Sequence, residues 1–341
     1  MKPKNIFNLV CCLLPLGLMA QEASKEVKSE PKAVSPELPT WRIPNMGEAA
    51  EFYFSPDSKS LIGNAKMGKD TIHQVYTVNI DGTNIREINS VGADACSYYF
   101  PDGKRLVFTS TKDHLDMHLG NYSDANDYPQ GAELYTCDLD GSNVKRLTNN
   151  KYYDAEVGVS PDGKWILFTR QIDGKLDLWK MKSDGTGETQ ITHTPEWQEG
   201  GSFYMYDSKT ILFRAWKRSS QGKKGMPMTI FTIKDDGTDL KQITTDTVAT
   251  HWAPHPCPDG RHFVYVKVLQ PRNFEIFLRD IVTGEEKQLT FNEKFDGFPV
   301  ISPDGKLLVY GTGRDNAPGE RKLVLYLMDV SSLNLGEKKK K

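Results

Sequence analysis

Six short motifs along the chain share one phase. They are Ser55-Pro56-Asp57-Ser58-Lys59, Phe100-Pro101-Asp102-Gly103-Lys104, Ser160-Pro161-Asp162-Gly163-Lys164, Met205-Tyr206-Asp207-Ser208-Lys209, Cys257-Pro258-Asp259-Gly260-Arg261 and Ser302-Pro303-Asp304-Gly305-Lys306. Six positions before each motif stand Ala49, Asp94, Asp154, Glu199, His251 and Asp296, so most repeats place an ionisable side chain at the same point. If the repeats surround an axis, these groups form an acidic ring at the mouth of a channel, which would attract a cation, an amine or a basic peptide. Converging carboxylate oxygens suit Ca²⁺, whereas His251 fits Zn²⁺ or Mn²⁺ better. Glu51 and Glu156, four positions before their motifs, are expected to point into the same funnel. The plainer reading is that loops between strands are polar and rich in turn-forming Asp in any case.

Two insertions flank this set. The first, residues 112–131, contains His114, Asp116, His118, Tyr122, Asp124, Asn126, Asp127 and Tyr128. His114 and His118 have the spacing of a helical metal pair but lack the Glu of a metalloprotease helix, and Asp124, Asn126 and Asp127 resemble a calcium loop without its terminal Glu. The segment is expected to be a polar lid. The second insertion, residues 217–227, carries Lys217, Arg218, Lys223 and Lys224, which could receive an acidic partner or remain solvated. Trp197 and Trp252 lie in inter-repeat loops on the same side, where indole would favour a peptide or sugar if exposed and would otherwise pack between repeats.

The motifs themselves reveal the elements that hold these residues. Pro presets φ, Asp bonds the following backbone and Gly tolerates positive φ, so each motif closes a tight hairpin. Apolar runs such as Leu106-Val107-Phe108 and Trp165-Ile166-Leu167-Phe168 follow, then a third run such as Glu133-Leu134-Tyr135-Thr136-Cys137. A second turn, for example Asp140-Gly141, leads into Arg146-Leu147-Thr148 or its equivalent. Each repeat therefore has four strands, and spacings of 45, 60, 45, 52 and 45 residues are those of propeller blades. The reading is an all-β, six-bladed β-propeller of four-stranded antiparallel blades. The sixth repeat lacks a fourth strand, and Trp41-Arg42-Ile43-Pro44-Asn45 is expected to supply it and close the ring.

The 341 residues include 43 Lys and Arg against 45 Asp and Glu, which lacks the basic excess of a nucleic-acid binder. Lys2, Lys4 and the apolar run from Ile6 to Met19 read as a signal peptide over residues 1–20, with cleavage after Ala20. A lipoprotein would use Cys11 or Cys12, with few apolar residues before them. Residues 21–40 read as a flexible linker, 41–330 as the propeller and 331–341 as a Lys-rich tail. The mature chain would be periplasmic or secreted, not an integral membrane protein, and a monomer. Its cysteines, Cys96, Cys137 and Cys257, read as buried small hydrophobes rather than a disulfide framework.

The Ser-Pro-Asp-Gly-Lys turn, the Asp-Gly turn and the Arg/Lys/Gln-x-Leu/Ile-Thr ending resemble the WD40-like repeats of the TolB-like periplasmic propellers over about residues 41–330. The resemblance implies a six-bladed ring and a role in the cell envelope. No Gly-x-Ser-x-Gly elbow, His-Glu-x-x-His pair or phosphate-cradling glycine loop stands in the sequence. The favoured expectation is therefore a non-catalytic scaffold that binds an envelope protein or peptide segment at the acidic mouth, without a cofactor. The alternative is an accessory propeller to a peptidase system, or a metal-dependent enzyme resembling oligogalacturonate lyase. In such an enzyme His251 and His255 would act as metal ligand or base beside Glu199 and Asp296.

Overall fold

The computed structural model describes residues 37–223, 225–246, 248–269 and 273–337. The signal-peptide reading, the linker as far as residue 36 and the run Lys338–Lys341 lie outside the described residues. Six four-stranded antiparallel sheets follow one another along the chain. Their innermost strands are Glu48–Phe54, Asp94–Tyr99, Tyr153–Val159, Trp197–Tyr204, His251–Pro256 and Asp296–Ile301. Each packs on the next and the sixth packs on the first, so the sheets are the blades of a propeller. In the sixth sheet the outermost strand is Thr40–Arg42, antiparallel to Val324–Asp329, with Trp41 opposite Leu327. Among the described residues the only helical segments are two single 3₁₀ turns, Arg218–Ser220 and Ser331–Leu333, and no helix is long and apolar enough to cross a membrane.

The turn chemistry is local and repeats from blade to blade. The Ser55 hydroxyl donates to Asp57 at 2.6 Å and accepts the Ser60 N–H at 2.9 Å, and Ser160 and Ser302 do the same in their blades. Gly163 takes φ of 73°, where an L side chain is disfavoured; Ser58 and Ser208 fill the equivalent place in blades one and four at 62° and 54°. The Leu/Ile-Thr ending also has a physical role. Thr148, Thr192, Thr244 and Thr290 are buried, and each hydroxyl accepts a main-chain N–H of the third strand, from Leu134, Leu178, Ile230 and Ile276, at 2.9 to 3.0 Å. This bond fixes a fourth strand that has only two or three ladder residues of its own.

One irregularity recurs in all six blades. The pairing of the innermost strand with the second strand shifts register after the residue five positions before the turn in blades two to six and six positions before it in blade one. The residue four positions before the turn, Glu51, Cys96, Glu156, Gly201, Ala253 or Phe298, is left outside the ladder. Glu156, Gly201, Ala253 and Phe298 have φ between 48° and 55°. A bulge of this kind turns its side chain away from the sheet.

Candidate functional site

The bulges and the two insertions enclose a cavity of about 1710 Å³. Its floor contains the bulged residues Glu51, Cys96, Glu156, Gly201, Ala253 and Phe298. Below them, two positions before the turns, Tyr53, Tyr98, Phe203 and His255 come together from four blades. Neighbouring rings lie 5.0 to 6.4 Å apart, centre to centre, and fill the axis. Burial drives the His255 imidazole down to about 3, so it stays neutral within this packing.

Two carboxylates stand over the aromatic floor with different partners. The Glu156 carboxylate accepts from Arg214 Nη2 at 2.7 Å, Thr169 Oγ1 at 2.9 Å and the Gly201 N–H at 2.6 Å. Gly201 belongs here for two reasons: its φ is positive, and a Cβ on it would lie 1.8 Å from Arg214 Nη1. A Cβ on Gly200 would lie 2.3 Å from Glu156 Oε2. The glycine pair is therefore the seat of the Glu156–Arg214 ion pair. Among the described residues no cation bonds Glu51; Tyr53 Oη donates to one of its oxygens and Cys96 Sγ lies 3.9 Å from the other. Burial raises the Glu51 carboxyl above its usual range, against the Tyr53 hydrogen bond, and also raises the Cys96 thiol strongly.

The other predicted residues are distributed differently. Asp94 and Glu156 line the cavity, whereas Asp154, Glu199, His251 and Asp296 do not. Rather than standing open as a ring, the carboxylates of Asp154, Glu199 and Asp296 are buried between strands and committed to neighbouring groups. Arg170 clamps Asp154 with Nε at 2.6 Å and Nη2 at 2.7 Å, and also reaches Glu188 at 2.6 Å. Asp94 accepts from Asn89 at 2.8 Å and from the Val75 N–H at 3.1 Å, both in the preceding blade. Thr192 donates to Glu199 at 3.4 Å, Thr194 also donates to it, and Asn292 donates to Asp296. Asp94, Glu199 and Asp296 thus latch their blades to the one before, whereas Arg170 holds Asp154 within its own blade. Burial pushes Asp94 up to about 7, Glu199 to about 8 and Asp296 to about 6, in each case against hydrogen bonds that favour the ionised form.

His251 donates from Nδ1 to the Met228 carbonyl at 3.3 Å, its basicity lowered by burial, and faces a smaller cavity of about 350 Å³ with Lys267, Arg279 and Glu286. The two histidines of the lyase-like reading therefore do not converge, and among the described residues no three His, Cys, Asp or Glu side chains gather as a metal-binding cluster. The residues present do not fit the metal site that reading would need.

Residues of the first insertion line the cavity. Tyr122 and Tyr128 line it, with Tyr122 Oη donating to the Ala93 carbonyl at 3.0 Å and Tyr128 stacked 4.1 Å from Tyr153. His114, Asp116 and His118 lie apart from the cavity: His114 accepts from Arg146 at 2.8 Å, His118 pairs with Asp127 at 2.6 Å, and Asp116 is exposed. The second insertion meets the first, with Gln221 Nε2 donating to Asn126 Oδ1 at 2.9 Å. Trp252 lines the cavity with its indole edge-on to Phe298 at 4.7 Å, while Trp197 packs against Phe231 within blade four. Lys217 and Arg218 do not line the cavity; Lys223 does, and Lys224 lies outside the described residues. With Lys66, Lys223 and Lys267 beside Asp124 and Asp246, the rim is mixed in charge rather than acidic. Among the described cysteines none is bridged; Cys137 and Cys257 are buried and Cys96 is partly open to the cavity.

Sequence reading missed Tyr53, Arg214, Trp216 and the Gly200–Gly201 seat. Counting two positions back from each turn, rather than six, would have shown Tyr53, Tyr98, Phe203 and His255 in one row. No local signal marks Arg214.

No family model matches the chain. It is 27% identical over 286 residues to an uncharacterised protein of Agrobacterium fabrum, covering 79% of this chain and 86% of the relative. It is 27% identical over 185 residues to the Protein TolB homolog of Chlorobaculum tepidum, covering 52% of this chain and 36% of that protein. It is 26% identical over 227 residues to Dipeptidyl-peptidase 5 of Porphyromonas endodontalis, covering 62% of this chain and 28% of the peptidase. The chain thus spans well under half the length of the two relatives that carry functional names. Among solved structures, TolB from Acinetobacter baumannii is similar at 18% identity and a TM-score of 0.54, over 85% of this chain and 65% of that one. Oligogalacturonate lyase from Vibrio parahaemolyticus is similar at 11% identity and 0.54, over 86% and 94%. These two likenesses concern the fold. With the repeats, the blades and the TolB relatives taken together, the chain is a TolB-like six-bladed β-propeller.

Proposed function

We propose that this chain is an exported, non-catalytic propeller that holds a peptide segment of an envelope protein in the large cavity. The observation that carries the reading is the shape and lining of that cavity. About 1710 Å³ exceeds the roughly 300–1,000 Å³ of ordinary small-molecule sites and suits several residues of a chain. Aromatic and methionine side chains line its walls, and Glu51, the floor carboxylate without a bonded cation among the described residues, suits a lysine, an arginine or a chain amine on the ligand. Export rests on Lys2, Lys4 and the apolar run from Ile6 to Met19, and mature protein should begin at Gln21 when its N-terminus is sequenced.

A photo-crosslinking residue placed at Tyr122 tests the binding role in living cells. The expected result is a discrete adduct with an envelope protein that disappears in a Glu51→Lys variant of normal abundance. Absence of any adduct, or an adduct indifferent to Glu51→Lys, would overturn the reading.

A further inference from the structure

The geometry points to a two-part recognition site at the floor of the cavity: Glu51 of blade one seats an ammonium group of the bound peptide, and the aromatic wall of blades five and six, with Trp252, Phe295 and Phe298, seats a large apolar side chain close to it in the peptide. The inference rests on the peptide-binding reading and names the two groups that the peptide must carry.

The bulges place one residue per blade around the floor, and these residues divide it. In blades one to three they are Glu51, Cys96 and Glu156, and in blades four to six they are Gly201, Ala253 and Phe298. Glu156 is paired with Arg214 at 2.7 Å, so Glu51 is the acid of the ring without an ion pair among the described residues. The innermost strand of blade six packs on that of blade one, which makes Glu51 and Phe298 neighbours in the ring. A Cβ on Gly311 of blade six would lie 2.8 Å from the Ala50 carbonyl oxygen, so the two blades meet closely beside Glu51. Ala253 and Gly201, next around the ring, carry little or no side chain and leave space beside Phe298 for an incoming group.

The aromatic wall has its own support. Phe298 holds φ of 55°, a conformation that bulky residues seldom adopt and that persists only where the surrounding packing enforces it. Its ring meets Trp252 edge-on at 4.7 Å, and Phe295 lies 6.1 Å from Phe298 and 5.1 Å from Phe274. A Cβ on Gly297 would collide with the Phe295 ring and lie 3.3 Å from the Trp252 indole, so that glycine gives both rings their places. Glu51, Trp252, Phe274, Phe295 and Phe298 are each partly exposed, and all line the cavity. An open apolar wall beside an unpaired carboxyl suits a ligand that carries a cation and an apolar group together. The kind of cation follows from the other bond of Glu51. Tyr53 Oη already donates to one carboxyl oxygen, which leaves the other for the ligand and does not match the two-pronged donation of a guanidinium. An ammonium, from a lysine or from the first residue of the peptide, is the better fit.

The test uses the mature chain and a displayed library of random decapeptides. Selected peptides are synthesised with free and acetylated N-termini, and with each lysine replaced by norleucine, and are titrated calorimetrically against wild type, Glu51→Gln and Phe298→Gly. Phe298→Gly removes the ring and keeps the backbone, since Gly201 holds the same φ of 55° at the equivalent bulge of blade four. Enriched peptides should pair an ammonium with one large apolar residue within a few positions. Each variant should bind them about ten-fold more weakly, as expected for one charge-assisted hydrogen bond and for one buried apolar side chain. Removing the responsible ammonium, by norleucine for a lysine or by acetylation for the chain terminus, should cost wild type the same loss and Glu51→Gln nothing further. Peptides that bind either variant as tightly as wild type, or whose loss of the ammonium costs Glu51→Gln as much as wild type, would overturn the two-part site and leave peptide binding standing. A library that yields no binding peptide would overturn both.

Discussion

Two positions in the same innermost strands, two residues apart, have opposite fates. The row six before the turn, with Asp94, Asp154, Glu199 and Asp296, sits inside the ladder and is buried against the preceding blade or its own. The row four before the turn, with Glu51, Cys96 and Glu156, sits at a bulge and faces the cavity. Both rows contain carboxylates. What separates them is backbone: an in-register residue is fixed by its neighbours, whereas a bulged one is re-aimed toward the axis. Carboxylates in the first row are held by strand neighbours within and between blades; in the second, Glu156 is held by Arg214 while Glu51 has no ion pair among the described residues.

The sharpest attempt to break this contrast is Asp154→Ala. It leaves the Arg170 guanidinium, 7% exposed, with Glu188 as its remaining ion partner, and breaking a buried pair of this kind costs about 3–5 kcal/mol. Urea denaturation should report that loss; a change below about 1 kcal/mol would show that the latch is dispensable.

Next in size is a pH effect at Asp94. Its folded pKa of about 7 lies above the unfolded value of about 4, so the fold binds a proton that the unfolded chain releases. Its contribution is fully present below about pH 4 and is lost as pH rises to about 7, at no more than about 1.4 kcal/mol per unit. Asp94→Asn should gain on wild type over this interval when urea midpoints are compared at pH 5 and pH 7.5. Parallel pH profiles would refute the assignment.

Gly201→Ala probes the seat of the ion pair. A residue at φ of 55° with its Cβ against Arg214 should cost about 1–2 kcal/mol in unfolding measurements and displace Arg214 from Glu156. A fully stable variant with the pair intact in its crystal structure would disprove the seat.

The smallest expected effect on stability is that of Glu51→Gln, within about 0.5 kcal/mol, because no ion pair is lost. The same change should abolish the adduct captured at Tyr122. If Glu51→Gln destabilises as much as Asp154→Ala, the two rows do not differ in kind.

Much of the fold is legible in the sequence because its turns are made by chemistry within five residues. Ser160, Asp162 and Gly163 bond one another or adopt their dihedrals wherever the rest of the chain lies. The lid is legible as an insertion, and Tyr122 and Tyr128 reach the cavity. The bulge is hidden because Glu156, Ala253 and Phe298 adopt positive φ without being glycine, under tertiary packing that no local pattern encodes. Counting therefore identifies a row of acids but not which of them the backbone buries: Asp94 lines the cavity, and Asp154, Glu199 and Asp296 do not. Arg214, whose charge decides the character of the floor, is invisible for a related reason: it meets Glu156 from a strand 58 residues away.

The rings of Tyr53, Tyr98, Phe203 and His255 pack against one another beneath the bulged residues, on the side of the cavity away from Tyr122 and Gln221. On the proposed reading, a bound segment would enter and leave past those two side chains, and its release would depend on the contact between the two insertions.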